Sequence, residues 1–212
     1  QTEPGAVASI LFHHSESNSG YEVLLHNGPQ DGTCKTGSLA HVRNLYRSLA
    51  EDGEWFDLEI NVRQKNIAVA VNGTDVVCYT QPEQPYRTEA NAGQLLGLGK
   101  VVINMEKGNV KIKDLTLTAL PNDARNENDT LPAIDEMNNG AIRLQQEDFP
   151  VIDWHVHLKG GLTKEQAHAM SMNYGINYGV APNAGEGGVG RMLANDEAVR
   201  AYLKEVHPLP FL

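Results

Sequence analysis

The chain has 212 residues, room for one large domain or two small ones, and 17 basic against 27 acidic side chains give a net charge of −10. That balance, with no Lys/Arg cluster anywhere, argues against nucleic acid as a partner, because phosphates demand basic patches. No apolar run is long enough to span a membrane, so no transmembrane segment is expected.

Cys34 and Cys78 lack metal-type spacing, and the sequence leaves open whether they pair. Asn72-Gly73-Thr74 and Asn128-Asp129-Thr130 match the glycosylation acceptor pattern, a match that often arises by chance. The chain opens on Gln1 with no signal peptide and stops at Leu209-Pro210-Phe211-Leu212, which reads as the start of a buried strand. The expectation is a fragment, cut at both ends.

Residues 6–13 and 21–26 read as short apolar strands joined by the polar turn Ser15-Glu16-Ser17-Asn18-Ser19-Gly20. Residues 27–37 are loop. Over 38–49, Leu39, Val42, Leu45 and Leu49 approach helical spacing behind Ser38, in a neighbourhood that is otherwise strand. Leu58, Ile60 and Val62 alternate with Asp57, Glu59, Asn61 and Arg63, the pattern of an antiparallel strand with one solvated face. Lys65-Asn66 turns it into Ile67–Val71. Asn72-Gly73 then predicts a type I′ hairpin, which needs positive φ at both central residues, and Thr74–Tyr79 returns.

Lys100–Met105 and Val110–Leu120 follow, joined around Lys107-Gly108. In the second of these the inward parity changes from even at Val110 and Ile112 to odd at Leu115 and Leu117, which a β-bulge near Lys113-Asp114 would explain. Many short strands with turns between them predict a two-sheet antiparallel β-sandwich over residues 1–120. Residues 121–148, polar and broken by Pro121, Pro132, Asn138, Asn139 and Gly140, read as a linker from which Ile142 and Leu144 could dock on a neighbour.

The pattern changes over 149–212. On a strand Val151–Leu158, Asp153, His155 and His157 point one way while Trp154, Val156 and Leu158 point the other. Two imidazoles at i and i+2 with a carboxylate upstream form a claw for a divalent metal, although a catalytic site needs further ligands and an open position. The plain alternative is a strand whose histidines merely hydrogen-bond. Lys159-Gly160-Gly161 and a capped helix put the claw at a strand's C-terminal end, where α/β active sites sit.

Thr163 and Gln166 form a capping box for a helix to about Tyr174, with Gly175 at its C-cap. Ile176–Ala181 is a second buried strand, and Asn195 caps a helix to Val206. The intervening Gly185–Gly190 loop lacks the Gly-Lys-Ser/Thr ending of a phosphate cradle, and Glu186 would repel phosphate, which leaves an active-site loop or a plain connector. The order β-α-β-α-(β) predicts a parallel sheet or barrel. His168, on the first helix, reads as a surface residue, and His13 and His14 adjoin a turn in the other domain.

Gly20-Tyr21-Glu22-Val23, Gly37-Ser38-Leu39, Gly53-Glu54-Trp55, Val71-Asn72-Gly73 and Gly99-Lys100-Val101 through Val110–Leu115 resemble the concanavalin-like jelly-roll family named for 3-keto-disaccharide hydrolysis. The resemblance covers residues 1–120, implies an incomplete jelly roll, and makes 38–49 strand and loop rather than helix. It implies a carbohydrate substrate or ligand, with Glu22, His26 and Glu106 as candidate catalytic groups and Trp55 as a candidate sugar contact. Two departures stand out: the family's Trp-Asn is Trp55-Phe56 here, and its Leu-Gln-x-His is Ile103-Asn104-Met105-Glu106. They shift the expectation for this domain from cleaving a sugar toward binding one.

Phe149–His157 is similar to the opening of a metal-dependent hydrolase barrel of the amidohydrolase or polymerase-and-histidinol-phosphatase type, a TIM-like α/β barrel. That resemblance puts His155 and His157 on the first-strand metal ligands, with Asp153 as a further ligand or as a partner orienting a histidine. It implies a divalent metal, zinc first and manganese or iron as alternatives, activating water. The combined expectation is a carbohydrate-associated hydrolase, bacterial and periplasmic or extracellular. The rival is a non-catalytic glycan-binding protein with a vestigial second domain.

Overall fold

The computed structural model describes residues 1–16, 19–29, 32–121, 132–184 and 192–209. The first half supplies β1 (Val7–His14), β2 (Tyr21–Leu25), β3 (Leu58–Arg63), β4 (Asn66–Val71), β5 (Thr74–Thr80) and β6 (Lys100–Lys107). They form two antiparallel three-stranded sheets, in the orders β2-β1-β6 and β3-β4-β5. Registers Ile10↔Val23 and Phe12↔Tyr21 aim one face of the first sheet at the core. Registers Ile60↔Val69, Val69↔Val77 and Ile67↔Tyr79 do the same for the second. Phe12, Tyr21 and Val23 thereby pack with Ile67, Val69, Val71, Val77 and Tyr79, a β-sandwich arrangement.

Local chemistry accounts for the hairpins. Asn72 and Gly73 have φ of 51° and 75°, both positive as the type I′ turn requires. Asn72 is committed to this turn: its Oδ1 accepts the Asp57 N–H and its Nδ2 donates to the Leu49 carbonyl. The turn between β3 and β4 is Gln64-Lys65, since Arg63 pairs with Asn66, one residue earlier than the pattern suggests.

Residues 38–49 form no helix. Ala40 N–H donates to the Glu22 carbonyl and Thr36 N–H to the His26 carbonyl, so residues 36–40 run along β2 before turning back at Leu39–Arg43. Leu39, Val42 and Leu45 instead fill the core from this segment.

The strand expected over Val110–Leu120 is reduced to a single bridge, Thr2↔Val110, continued by Lys111 N–H to the Gln1 carbonyl. Beyond it Leu115 and Leu117 are 65% and 86% exposed. An alternating sequence makes a strand only where a neighbouring backbone lies alongside to exchange hydrogen bonds, and among the described residues no strand pairs with this stretch past Gln1. Asp114, where a bulge is expected, has φ 52°.

Residues 132–149 are docked along the sandwich. Within them α1 (Gly140–Leu144) buries Ile142 and leaves Leu144 half exposed, while Glu136, Gln145 and Gln146 are all buried. β7 (Val151–Val156), α2 (Lys164–Tyr174) and β8 (Ile176–Val180) then form a β-α-β unit in which β7 and β8 pair in parallel. The short β9 (Asn183–Ala184) and β10 (Met192–Leu193), also parallel, lead to α3 (Asp196–Val206). The capping box is formed in both directions, Gln166 N–H to Thr163 Oγ1 and Thr163 N–H to Gln166 Oε1, and Gly175 closes α2 at φ 66°.

α2 packs against β5 and buries Ala167, His168 and Met172. His168 is therefore no surface residue. Burial lowers its pKa, although a hydrogen bond with the Asp75 backbone works the other way. Cys34 and Cys78 are both buried and not joined by a disulfide. Among the described residues no helix is long and apolar enough to cross a membrane. The Gly185–Gly190 loop, the Asn128 triplet and the end of the chain at Pro210–Leu212 lie outside the described residues.

Candidate functional site

Two places bear on function. The first is the face of the β2-β1-β6 sheet turned away from the core. The registers Leu11↔Glu22, Ser9↔Leu24, Ser9↔Asn104 and Leu11↔Val102 put Glu22, Ser9 and Asn104 on that face among Leu11, Leu24 and Val102. Glu22 is half-buried and Asn104 exposed, while Ser9 is buried with no hydrogen-bond partner for its hydroxyl among the described residues. A carboxylate and an exposed amide on one rigid face can hold and work on a polyol, while the Ser9 hydroxyl is closed to solvent.

The other sandwich candidates stand apart from this group. Glu106 falls at the irregularity between Val7↔Lys107 and Ala8↔Met105, whereas Glu22 lies opposite Leu11. Strand rise and spacing then separate the two backbone positions by about 15 Å, so the pair are not neighbours on the sheet face. His26 sits beyond the end of β2, its Nδ1 3.2 Å from the Ala6 carbonyl. Trp55, ahead of β3, is 47% exposed, but Lys113 Nζ lies 4.5 Å from its ring centroid and occupies one face.

The second place is the C-terminal end of β7. The i, i+2 spacing turns His155 and His157 to the same side, and their Nε2 atoms meet at 2.7 Å with the rings 4.6 Å apart and 75° inclined. In the neutral pair one nitrogen donates and the other accepts. Asp153 Oδ1 accepts the His155 backbone N–H at 3.2 Å, so it steadies the strand turn rather than an imidazole ring. Trp154, on the opposite side, meets Tyr46 edge to face at 5.5 Å.

The pair fits a metal in donor type and direction but not in number. Two nitrogens on a tetrahedral zinc stand about 3.3 Å apart, so a small opening of the imidazoles would admit the ion. The described residues contain no group of three or more His, Cys, Asp or Glu able to hold one. Beside His157 lies a cleft of about 750 Å³ at the C-terminal ends of β7 and β8, lined by Lys159, Thr163, Lys164, Asn183, Tyr202 and Glu205 among others. Lys164 Nζ donates to Glu205 Oε1 at 2.6 Å, and that bond raises the Lys164 pKa while tying α2 to α3 across the cleft wall.

A third cluster had no local signature in the sequence. Arg87 Nη1 pairs with Glu136 Oε2 at 3.0 Å, and its Nη2 donates to the hydroxyls of Tyr21 and Tyr79 at 3.0 and 2.9 Å. Arg43 lies 4.9 Å from the Tyr79 ring centroid. Burial pushes both phenols above the ordinary tyrosine range. With Glu136 and Tyr21 49 and 66 residues away from Arg87, only the fold could bring these groups together. The cluster is closed to solvent and holds the 132–149 segment against the sandwich.

The family model described as 3-keto-alpha-glucoside-1,2-lyase-like domain matches residues 2–159, which takes in the sandwich, the docked segment, β7 and both His155 and His157. Neither the curated proteins nor the solved structures give a match.

Proposed function

Because the chain belongs to the 3-keto-alpha-glucoside-1,2-lyase-like family, we propose that its sandwich engages an α-glucoside oxidised to a ketone at C3 and breaks the bond between C1 and the glycosidic oxygen. A C3 carbonyl acidifies the C2–H. A base that takes this proton leaves an enolate, which expels the C1 oxygen and forms a C1=C2 double bond; the departing oxygen is protonated. Water added across that double bond makes the net reaction a hydrolysis. Glu22 is the observation that carries this reading: a half-buried carboxylate on a rigid sheet face that also presents the exposed Asn104 amide, able to hold a sugar hydroxyl. Turnover of a 3-keto-α-glucoside with a chromogenic leaving group tests it. Glu22→Gln should lower the rate about 10²- to 10⁴-fold, and an unchanged rate removes Glu22 as the base.

A second reading has its own support. The separation of Glu22 from Glu106, with Asn104 and Glu106 standing where the resemblance has Gln and His, favours a sandwich that binds a glycan without cleaving it. Sugar retention by the native chain without turnover would decide for it.

For residues 149–212 we propose the opening β/α units of a metal-dependent hydrolase barrel, joined to the sandwich domain of residues 1–120 through 121–148. His155 and His157 would hold a divalent cation, zinc first and manganese or iron as alternatives; when bound it would supply an activated water. The convergent Nε2 atoms and the adjoining cleft support this. Zinc should raise the melting temperature of the native chain and leave a His155→Ala, His157→Ala variant unmoved; equal shifts in both would sink the metal site. Action in the periplasm or outside the cell is part of the same proposal, checked by fractionating cells that express the natural gene.

A further inference from the structure

β6 is an outer strand: it pairs with β1, and among the described residues nothing pairs with its other edge. It is eight residues long, and Val101, Ile103 and Met105 on it are 48%, 43% and 45% exposed. Ile103 lies opposite Ile10 and Met105 opposite Ala8, so these side chains carry the core face of the sheet out past its edge. A long, uncovered edge with an apolar face is a template for another strand.

The edge's own sequence identifies the strand that fits. Laid antiparallel against itself about Ile103, the stretch Lys100–Lys107 sets Ile103 opposite Ile103, Val101 opposite Met105 and Lys100 opposite Glu106, the last two pairs occurring twice by symmetry. Directly opposite residues share a face, so the apolar pairs meet on the core side and the ion pairs on the other. Centred instead between Ile103 and Asn104, the same strands would set Lys100 against Lys107 and Val101 against Glu106. One register matches charge and hydrophobicity; its neighbour mismatches both.

We propose that the chain forms a twofold-symmetric dimer by pairing β6 with β6 of a second copy, antiparallel and centred on Ile103. Two three-stranded sheets become one six-stranded sheet with no free edge at the join. Nothing in this depends on which sugar the sandwich engages.

The test uses the full chain. Light scattering at high micromolar concentration should give a dimer. Glu106→Lys sets lysine opposite Lys100 twice and should weaken the dimer about tenfold; adding Lys100→Glu to it restores opposite charges and should restore the dimer. Both native cysteines are buried, so an introduced thiol reports alone. Ile103→Cys should cross-link to itself under mild oxidation, Val101→Cys should not, and Val101→Cys mixed with Met105→Cys should. A monomer at these concentrations overturns the proposal, as does a dimer indifferent to Glu106→Lys or one in which Val101→Cys links to itself. Amide exchange showing β6 protected in a monomer would assign the edge to a segment of the same chain and overturn it too.

Discussion

Asn177 is bonded to residues 44–46 much as a strand neighbour would be. Its Nδ2 donates to the Asn44 carbonyl at 2.9 Å and its Oδ1 accepts the Tyr46 N–H at 3.0 Å, while Nδ2 also reaches the Val151 carbonyl at 3.0 Å. Asn44 passes the connection on: its N–H goes to Gln145 Oε1, and its Nδ2 donates to the carbonyls of Gln145 and Phe149. One amide network thus joins the sandwich, the docked segment and the β-α-β unit.

Asn177→Ala strands the Tyr46 N–H and two carbonyls in a buried site. The expected loss of stability is about 2–3 kcal/mol, measured by urea unfolding. Asn177→Asp keeps the acceptor for Tyr46 but turns an oxygen toward the two carbonyls, and should be no more stable than the alanine variant.

Glu136 is the carboxylate paired with Arg87, at side-chain exposures of 1% and 6%, with Arg43 buried nearby. Glu136→Gln leaves the guanidinium charge uncompensated and should cost about 3–5 kcal/mol. Arg87→Met combined with Glu136→Gln should recover much of that loss, because removing both charges removes the desolvation penalty. A double variant no better than Glu136→Gln would show that the tyrosine hydrogen bonds, not charge, set the cost.

His168 makes stability depend on pH. Burial holds its folded pKa below the ordinary 6.5, so on acidification the unfolded chain takes up the proton first. Its contribution is complete above about pH 6.5 and falls away from there toward the folded pKa, where the loss levels off. His168→Leu should flatten this part of the stability–pH curve, followed by thermal melts between neutral and mildly acidic pH. A curve of unchanged slope would assign the dependence to other groups.

Gly175 and Gly160 separate two effects of a methyl group. Both have left-handed φ, 66° and 65°, but a Cβ at Gly175 would run into the Gln145 side chain while one at Gly160 meets nothing within 4 Å. Gly160→Ala should cost only the backbone strain, about 1–2 kcal/mol. Gly175→Ala should cost more and should be non-additive with Asn177→Ala, since displacing Gln145 loosens the same network. Chemical denaturation of the three single variants and the Gly175/Asn177 double variant reads this out.

What was legible in the sequence is what a few neighbouring residues decide. Asn72-Gly73 makes its hairpin, Thr163, Gln166 and Gly175 bound their helix, and His155 and His157 share a side, because the relevant spacings run from i+1 to i+3 or to the end of one helix. Alternation likewise exposed the apolar face of β3.

Only the tertiary structure decided the rest. Val110–Leu120 has the alternation of a strand but, among the described residues, pairs only at Val110 and Lys111, and Leu39, Val42 and Leu45 have helical spacing yet plug a sandwich core. His168 is buried because α2 lies on β5, and Glu136, Gln145 and Gln146 are buried because a polar segment found polar partners. The reason is physical: burial of a polar group is settled by partners dozens of residues away, and no local pattern records them.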